Sequence, residues 1–261
     1  VSSGWEPSPE LADAAAGRLK GYFERFMSAA GAGTHRHRLI RDGDSVLVGL
    51  SGGKDSLALL LFLELRRRRV KDRYTLKAAR VDWDEPTAAP EDIAALAGFC
   101  AWLGVPFIEE RRPTPESLAD RGLSCYRCSR ERRRVLFELA DREGCGVVAL
   151  GHHLDDFAET ALMNLCKHGR LDPMRPEAVF FGRFRLVRPL CDARESAIRA
   201  VATRLGLPVA GNRCPLSGSN QRGAYKAALA ELAKIDTLVR ENVCKAASTS
   251  SPYPEEAHGD P

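Results

Sequence analysis

The chain has 261 residues, 44% hydrophobic and 28% charged, and its 39 Lys and Arg against 35 Asp and Glu leave a net charge of +4. A compact chain of this length buries about 70–75% of its unfolded surface, so its core needs neither disulfide nor metal, which excludes the disulfide-scaffold and disordered classes. So small a bulk charge does not by itself point to a nucleic acid; the eight cysteines are the unusual feature.

No apolar run reaches the roughly 18 residues that a membrane-spanning helix needs. The opening VSSGWEPSPE lacks the basic stretch and apolar block of a secretory signal. The expectation is a cytoplasmic chain with no membrane partner, whose cysteines serve as metal ligands, redox groups or packed side chains.

Taken in chain order, residues 11–40 read as an N-terminal helix with a basic end. Residues 45–50 (SVLVGL) form a buried strand, followed by a glycine turn and a helix over 56–67. A strand over 75–81 precedes a helix over 91–103, and 106–109 is a short third strand. A helix over 129–143 leads to a fourth strand at 146–150 (GVVAL) and a helix over 155–167. Residues 179–187 (VFFGRFRLV), with Gly182 near the centre, suit a hairpin. Then come a helix over 195–205, a strand over 207–210 and a helix over 225–242. Strands separated by helical crossovers imply an α/β fold with a parallel sheet covered on both faces. The expected organisation is a helical extension over 1–40, one α/β domain over 41–244 and a disordered tail over 245–261.

Ser51-Gly52-Gly53-Lys54-Asp55-Ser56 lies where the first strand meets a helix start. Free backbone N–H groups and the positive end of the helix dipole converge there, and the glycines let an anion approach closely. Lys54 and the two hydroxyls add donors. The loop is not of the Walker A type, which has four residues between its glycines and a Ser or Thr directly after Lys. An ordinary strand-to-helix turn is the plain alternative. The hexapeptide resembles the PP-loop of the ATP pyrophosphatases, and that likeness implies adenylation with release of pyrophosphate.

Cys125-Tyr126-Arg127-Cys128 stands just before a predicted helix, and Cys214 lies far downstream in Asn-Arg-Cys-Pro. A structural zinc site wants four ligands, and Ser217 stands where a second Cys-x-x-Cys would end. Three thiolates suit an iron–sulfur cluster with one open iron, or a redox pair with a resolving cysteine. Cys100, Cys145, Cys166, Cys191 and Cys244 are expected mostly to pack in the core, with Cys166 and Cys191 the candidate exceptions. His152-His153-Leu154-Asp155-Asp156 follows the fourth strand, where α/β sheets gather ligands. The two aspartates can equally cap the helix that starts there.

In order, SGGKDS, VDWDEP, CYRCSRERRR, ALGHHLDD, RPL and NRCPLSGSNQR resemble the tRNA 2-thiocytidine synthetase family over about residues 44–236. The resemblance implies a Rossmann-like, HUP-type PP-loop domain with helical additions. It implies a 4Fe-4S cluster on Cys125, Cys128 and Cys214, and ATP phosphates held by Ser51, Gly52, Gly53, Lys54, Asp55 and Ser56. Val81 would lie near the adenine, Gly151 and His152 would border the nucleotide, and Asp156 would bind Mg²⁺ or act at the reacting centre. Lys54, Asp156, Arg132 and Cys214 are the expected catalytic group. Ser217 departs from relatives that have a second cysteine there, and the spacing to Gln221-Arg222 is shortened, which bears on substrate detail.

Charge distribution supports an RNA partner. Residues 121–134 hold six arginines against one glutamate, and 64–77 hold five arginines and two lysines against one Glu and one Asp, leaving the remainder net acidic. A charge run is ordinarily a solvated face, but the first cluster brackets the Cys-x-x-Cys. Arg127, Arg130, Arg133 and Arg134 are the expected phosphate contacts. Arg132, three and four residues before Val135 and Leu136, shares their inward face and is expected to enter the site, with Arg133 and Arg134 projecting elsewhere.

The expected reaction is ATP- and cluster-dependent conversion of an anticodon-loop cytidine to 2-thiocytidine through an adenylated intermediate. Expected partners are tRNA, a sulfur donor (sulfide or the persulfide of a cysteine desulfurase) and a second copy of the chain. The same chemistry on a tRNA uridine or a small heterocycle, or a nucleotide-binding redox or metal sensor, are the alternatives.

Overall fold

Val46, Leu47 and Val48 are all fully buried although they alternate across one strand, so β1 (Ser45–Gly49) is covered on both faces. The computed structural model describes residues 4–18, 21–84, 88–115, 125–211 and 222–250. β1 pairs in parallel with β2 (Thr75–Asp82) on one side and β4 (Val147–Ala149) on the other. β3 (Phe107–Arg111) extends the sheet beyond β2. The hairpin of β5 (Glu177–Phe180) and β6 (Phe184–Val187) extends it beyond β4, with β6 parallel to β4 and β5 antiparallel to β6. The order is β3-β2-β1-β4-β6-β5.

The helices follow from apolar content and caps. α1 (Pro9–Ala15) starts on Ser8, whose Oγ accepts from the Leu11 N–H at 3.0 Å and donates to the Leu205 carbonyl at 2.8 Å. The single helix expected over 11–40 is instead α1 and α2 (Tyr22–Arg36), because Gly17 and Gly21 both take left-handed φ values near +74° and +73°. α3 (Lys54–Arg67) is buried on every side from Ser56 to Leu65, and the acid in that stretch, Glu64, is paired with Arg67 and Arg68. Leucines of α3 join Phe23 and Phe26 of α2 in one core with Val46 and Val48 and with Phe99 of α4 (Pro90–Leu103). The opposite face packs Leu47, Val81 and Val148 under Val135, Leu136 and Leu139 of α5 (Cys125–Arg142).

α6 (Leu154–His168) and α7 (Glu195–Arg204) match the expected helices to within a residue or two. The helix expected over 225–242 is two, α8 (Arg222–Ile235) and α9 (Val239–Ser250). The break is local chemistry, since the Asp236 side chain accepts from the Leu238 N–H at 2.8 Å and so turns the chain. α9 also corrects the expected tail, because the helix runs to Ser250 with Ala247 buried; residues 251–261 lie outside the described residues. The expected strand over 207–210 is not formed. The hairpin already occupies the sheet edge beside β4, and Ala210 N–H donates instead to the Gly52 carbonyl at 2.9 Å.

Candidate active site

β1 and β4 are neighbours whose chain connections leave in opposite directions, β1 pairing back to β2 and β4 on to β6, so a crevice opens beyond their carboxyl ends. The glycine loop and the His-His-Leu-Asp-Asp segment form its two walls.

In the loop, Ser51 Oγ accepts from the Gly53 N–H at 3.2 Å and lies 3.2 Å from Ser56 Oγ, which donates to the Gly53 carbonyl at 2.9 Å. Gly52 has φ +86°, and a Cβ there would come within 2.9 Å of Ala210 and 3.1 Å of the Arg80 guanidinium. Arg80 anchors the loop from below by donating to the Ser51 carbonyl, and its Nε donates to Asp82 at 2.7 Å in a fully buried ion pair. Lys54 lies 3.0 Å from Asp55 and 3.1 Å from Glu195 at the start of α7. Burial alone would depress the Lys54 ammonium, but these two carboxylates outweigh it and raise its pKa. Glu195 is also 2.7 Å from Lys226 on α8; burial would raise its pKa, but the two lysines hold it down at about 2.

The opposite wall touches the loop directly. A Cβ on Gly151 would meet the backbone of Asp55 and Ser56 at 2.9–3.0 Å, so only glycine permits this approach. The two histidines diverge. His152 Nδ1 accepts from Arg188 Nε at 3.3 Å, and burial, reinforced by the charges of Arg188, Arg222 and Arg133, lowers its pKa to about 3. It is therefore neutral, with its proton on Nε2. His153 turns towards Asp156 (3.5 Å) and Asp55 (3.7 Å). Asp156 caps α6 by accepting from the His153 N–H at 2.8 Å, and its other oxygen accepts from Arg222 at 2.7 Å. Asp155 faces away from the loop, accepting from the Glu195 N–H at 2.7 Å and pairing with Arg240 at 2.6 Å.

The Cys-x-x-Cys forms the first turn of α5 rather than preceding the helix as expected. Cys128 is half-buried, and its Sγ accepts from Trp83 Nε1 at 3.4 Å just past the end of β2. Cys214 lies outside the described residues. Arg132 follows one turn after Cys128, and its Nε is buried without a hydrogen-bond partner among the described residues. Arg133 does not project away as expected; it sits close enough to His152 to depress its pKa, because the amino end of α5 points at the crevice. Arg134 is exposed and held by Glu131 and Glu138 of its own helix. Arg127 and Arg130 lie on the same turns, with Tyr126 beside them 64% exposed. Val81 packs in the core between β2 and α5. Of the other cysteines, Cys100, Cys145 and Cys191 are buried, Cys244 half-buried and Cys166 exposed.

The structure thus gathers Ser51, Gly52, Gly53, Lys54, Asp55, Ser56, Gly151, His152 and Asp156 around one crevice. It adds Arg80, Asp82, Arg188, Glu195 and Arg222, to which sequence reading gave no role at the site. The only signal for these was position: Arg188 opens the RPL motif, and Arg80 and Asp82 end the second strand. No helix of the described residues is long and apolar enough to cross a membrane.

The PP-loop domain family matches residues 27–212. A tRNA-cytidine(32) 2-sulfurtransferase from Pelobacter propionicus is 36% identical over 237 residues, covering 88% of this chain and 87% of the relative. One from Geobacter sulfurreducens is 35% identical, covering 88% and 91%. Among solved structures, a U34-tRNA thiolase from Methanococcus maripaludis with its 4Fe-4S cluster superposes with a TM-score of 0.73 at 21% identity, covering 87% of this chain and 78% of that one.

Proposed function

The chain belongs to the PP-loop domain family and, within it, to the tRNA 2-thiocytidine synthetases, and from that membership we propose that it uses ATP to convert cytidine 32 of tRNA to 2-thiocytidine. The observation that carries the reading is spatial. The phosphate-type glycine loop follows β1, and the Cys-x-x-Cys turn of α5 meets Trp83 just past β2, the parallel neighbour of β1, so both lie at the carboxyl end of the sheet.

In this mechanism the loop N–H groups and Lys54 bind the β- and γ-phosphates of ATP. The O2 of the cytidine attacks the α-phosphorus, an O–P bond forms, and pyrophosphate leaves with its growing charge neutralised by Lys54. Sulfide-level sulfur, as HS⁻, then adds to C2 and loses its proton to solvent, the C2–O2 bond breaks, and AMP departs carrying the former O2. A persulfide donor first needs a thiol to release its outer sulfur at that level, leaving a disulfide. His152, neutral with Nε2–H outward, donates a hydrogen bond without adding charge. Gly151 keeps the two walls in contact and so excludes water from the reacting phosphorus.

Two absent groups fit the residues present. A Mg²⁺ on the phosphates would be met by Asp156, whose oxygens keep lone pairs after accepting from His153 and Arg222. Cys125 and Cys128, three apart on the first turn of α5, are soft ligands for a cluster with Cys214 as the third, and the Trp83 N–H on Cys128 sulfur is the outer hydrogen bond such ligands take. When bound, the cluster supplies an open iron that holds the sulfur to be delivered.

For RNA, Arg127, Arg130 and Arg133 are the proposed phosphate contacts, and the exposed Tyr126 ring offers a platform for an unstacked loop base. Arg132, with its buried Nε unpaired among the described residues, is the proposed partner of charge on the activated base. The proposal includes a homodimer, supported by the exposed Leu232, Ile235 and Leu238, and action in the cytoplasm on sulfur from sulfide or a desulfurase persulfide.

Nucleoside mass spectrometry of tRNA from a deletion strain tests the reading. Loss of 2-thiocytidine, restored by the intact gene but not by a Lys54→Ala copy, is the expected result. Unchanged 2-thiocytidine sinks it, and loss of a thiouridine instead moves the acceptor.

A further inference from the structure

Outside the crevice, the described residues bring three metal-ligating side chains together: His37, Cys191 and Asp192, whose ligand atoms all lie within 4.8 Å of one another. His37 is the residue that ends α2. Cys191 and Asp192 sit in the turn after β6, where the Cys191 N–H donates to the Arg188 carbonyl at 3.1 Å. The two segments are more than 150 residues apart in sequence, as the Thr34 to Pro189 hydrogen bond beside them also is.

The approach depends on Gly33. A Cβ there would stand 2.8 Å from Cys191 Sγ and 3.1 Å from the Asp192 carboxyl carbon, so glycine in mid-helix leaves the room these two side chains occupy. Glycine costs about 1 kcal/mol relative to alanine inside a helix, and here the neighbouring thiol and carboxylate explain its presence. Cys191 is buried, Asp192 intermediate and His37 exposed, which gives a closed floor and an open entrance.

We propose that His37, Cys191 and Asp192 form a zinc-class metal site, with water as the fourth ligand, that clamps α2 to the turn leading into α7. One imidazole nitrogen, one thiolate and one carboxylate are a donor set suited to Zn²⁺ in tetrahedral geometry. The competing contact on Asp192 is Arg36 at 3.1 Å, but Arg36 is largely exposed and such pairs are weak. Its other oxygen remains available. Partial desolvation of the His37 ring, helped by Arg36 and opposed by Asp192, holds it below its ordinary pKa, and burial pushes the Cys191 thiol up to about 12. Ligation therefore replaces the S–H bond by an S–Zn bond and releases one proton to solvent. The clamped turn also carries Arg188, which orients His152, and leads to Glu195, which faces Lys54. The site stands apart from the sulfur-transfer reading and does not depend on it.

The test uses the full chain with Cys125, Cys128 and Cys214 changed to Ser, so that these thiols cannot take the probe. Co²⁺ is titrated in as a spectroscopic stand-in and displaced with Zn²⁺. The expected result is one equivalent bound, a thiolate-to-cobalt charge-transfer band that Zn²⁺ bleaches, and one proton released. Cys191→Ser should abolish the band, and His37→Ala and Asp192→Asn should each weaken binding by about tenfold or more. Zn²⁺ should raise the melting temperature of the parent and not of the variants. His37 is exposed, so His37→Ala keeps the test open should Cys191→Ser fold poorly. No charge-transfer band, a band unchanged in Cys191→Ser, or parent-like titration of His37→Ala would each overturn the proposal.

Discussion

Arg80 illustrates how much one buried side chain decides. It holds the carbonyl of Ser51 and the carboxylate of Asp82 at once, with both ionic partners about 98–99% out of solvent. Breaking a buried ion pair by removing one member costs about 3–5 kcal/mol. Arg80→Met should therefore lower the unfolding free energy by that amount, read as a reduced urea midpoint, and should loosen the phosphate loop as well. His152 makes a pH-dependent contribution of known sign. Its pKa falls from 6.5 to about 3 on folding, so below pH 6.5 the unfolded chain takes up a proton that the native state refuses. Its contribution to stability is fully present above pH 6.5 and drains away towards pH 3. Urea midpoints across that window should fall less steeply for His152→Asn than for the parent; equal slopes would disprove the assignment.

Among the elements, the starts of α3 and α6 meet backbone to backbone. Gly151 lies against the backbone of Asp55 and Ser56, where nothing flexible is available to yield. Gly151→Ala should cost about 1–3 kcal/mol as an overpacked contact and lower ATP turnover beyond that loss, measured as tRNA-dependent AMP formation. The sequence made the strands and most helices legible because their apolar runs and glycine punctuation are local. It misread what is settled by distant partners. Residues 207–210 have strand-like composition, yet the β5–β6 hairpin holds the edge they would need, and the Gly52 carbonyl takes their hydrogen bond. The break between α8 and α9 was legible only in hindsight, through the Asp236 turn. At the site, the glycine loop announces itself, whereas Glu195 carries no local signature and Arg222, though it ends a motif, shows its ion pairs with Asp156 and Glu159 only in the fold.

For the whole molecule, the small net charge conceals an oriented field. Arg127, Arg130 and Arg133 all lie in the first half of α5, Arg133 close to His152, and Arg134 is paired with Glu131 and Glu138 of its own helix. tRNA affinity should fall steeply with salt, and Arg130→Ala should reduce the log–log slope by about 1. Arg134→Ala should change that slope less, since its charge is already shared with Glu131 and Glu138. Filter binding across a salt series distinguishes the two, and equal losses would remove the distinction drawn between them.

Lys54 has a consequence for nucleotide affinity. Its ammonium holds two anions, Asp55 and Glu195. Phosphate binding is then an ion exchange within the protein: one oxyanion displaces another, and Glu195 retreats to Lys226. The affinity should then be the difference between two pairings, smaller than a free lysine would give. Glu195→Gln removes the incumbent charge and should tighten ATP binding in calorimetry, even as it weakens the start of α7. The resident carboxylate makes the loop a selective host, one that releases its own counter-ion only to a ligand bearing more charge than a single carboxylate.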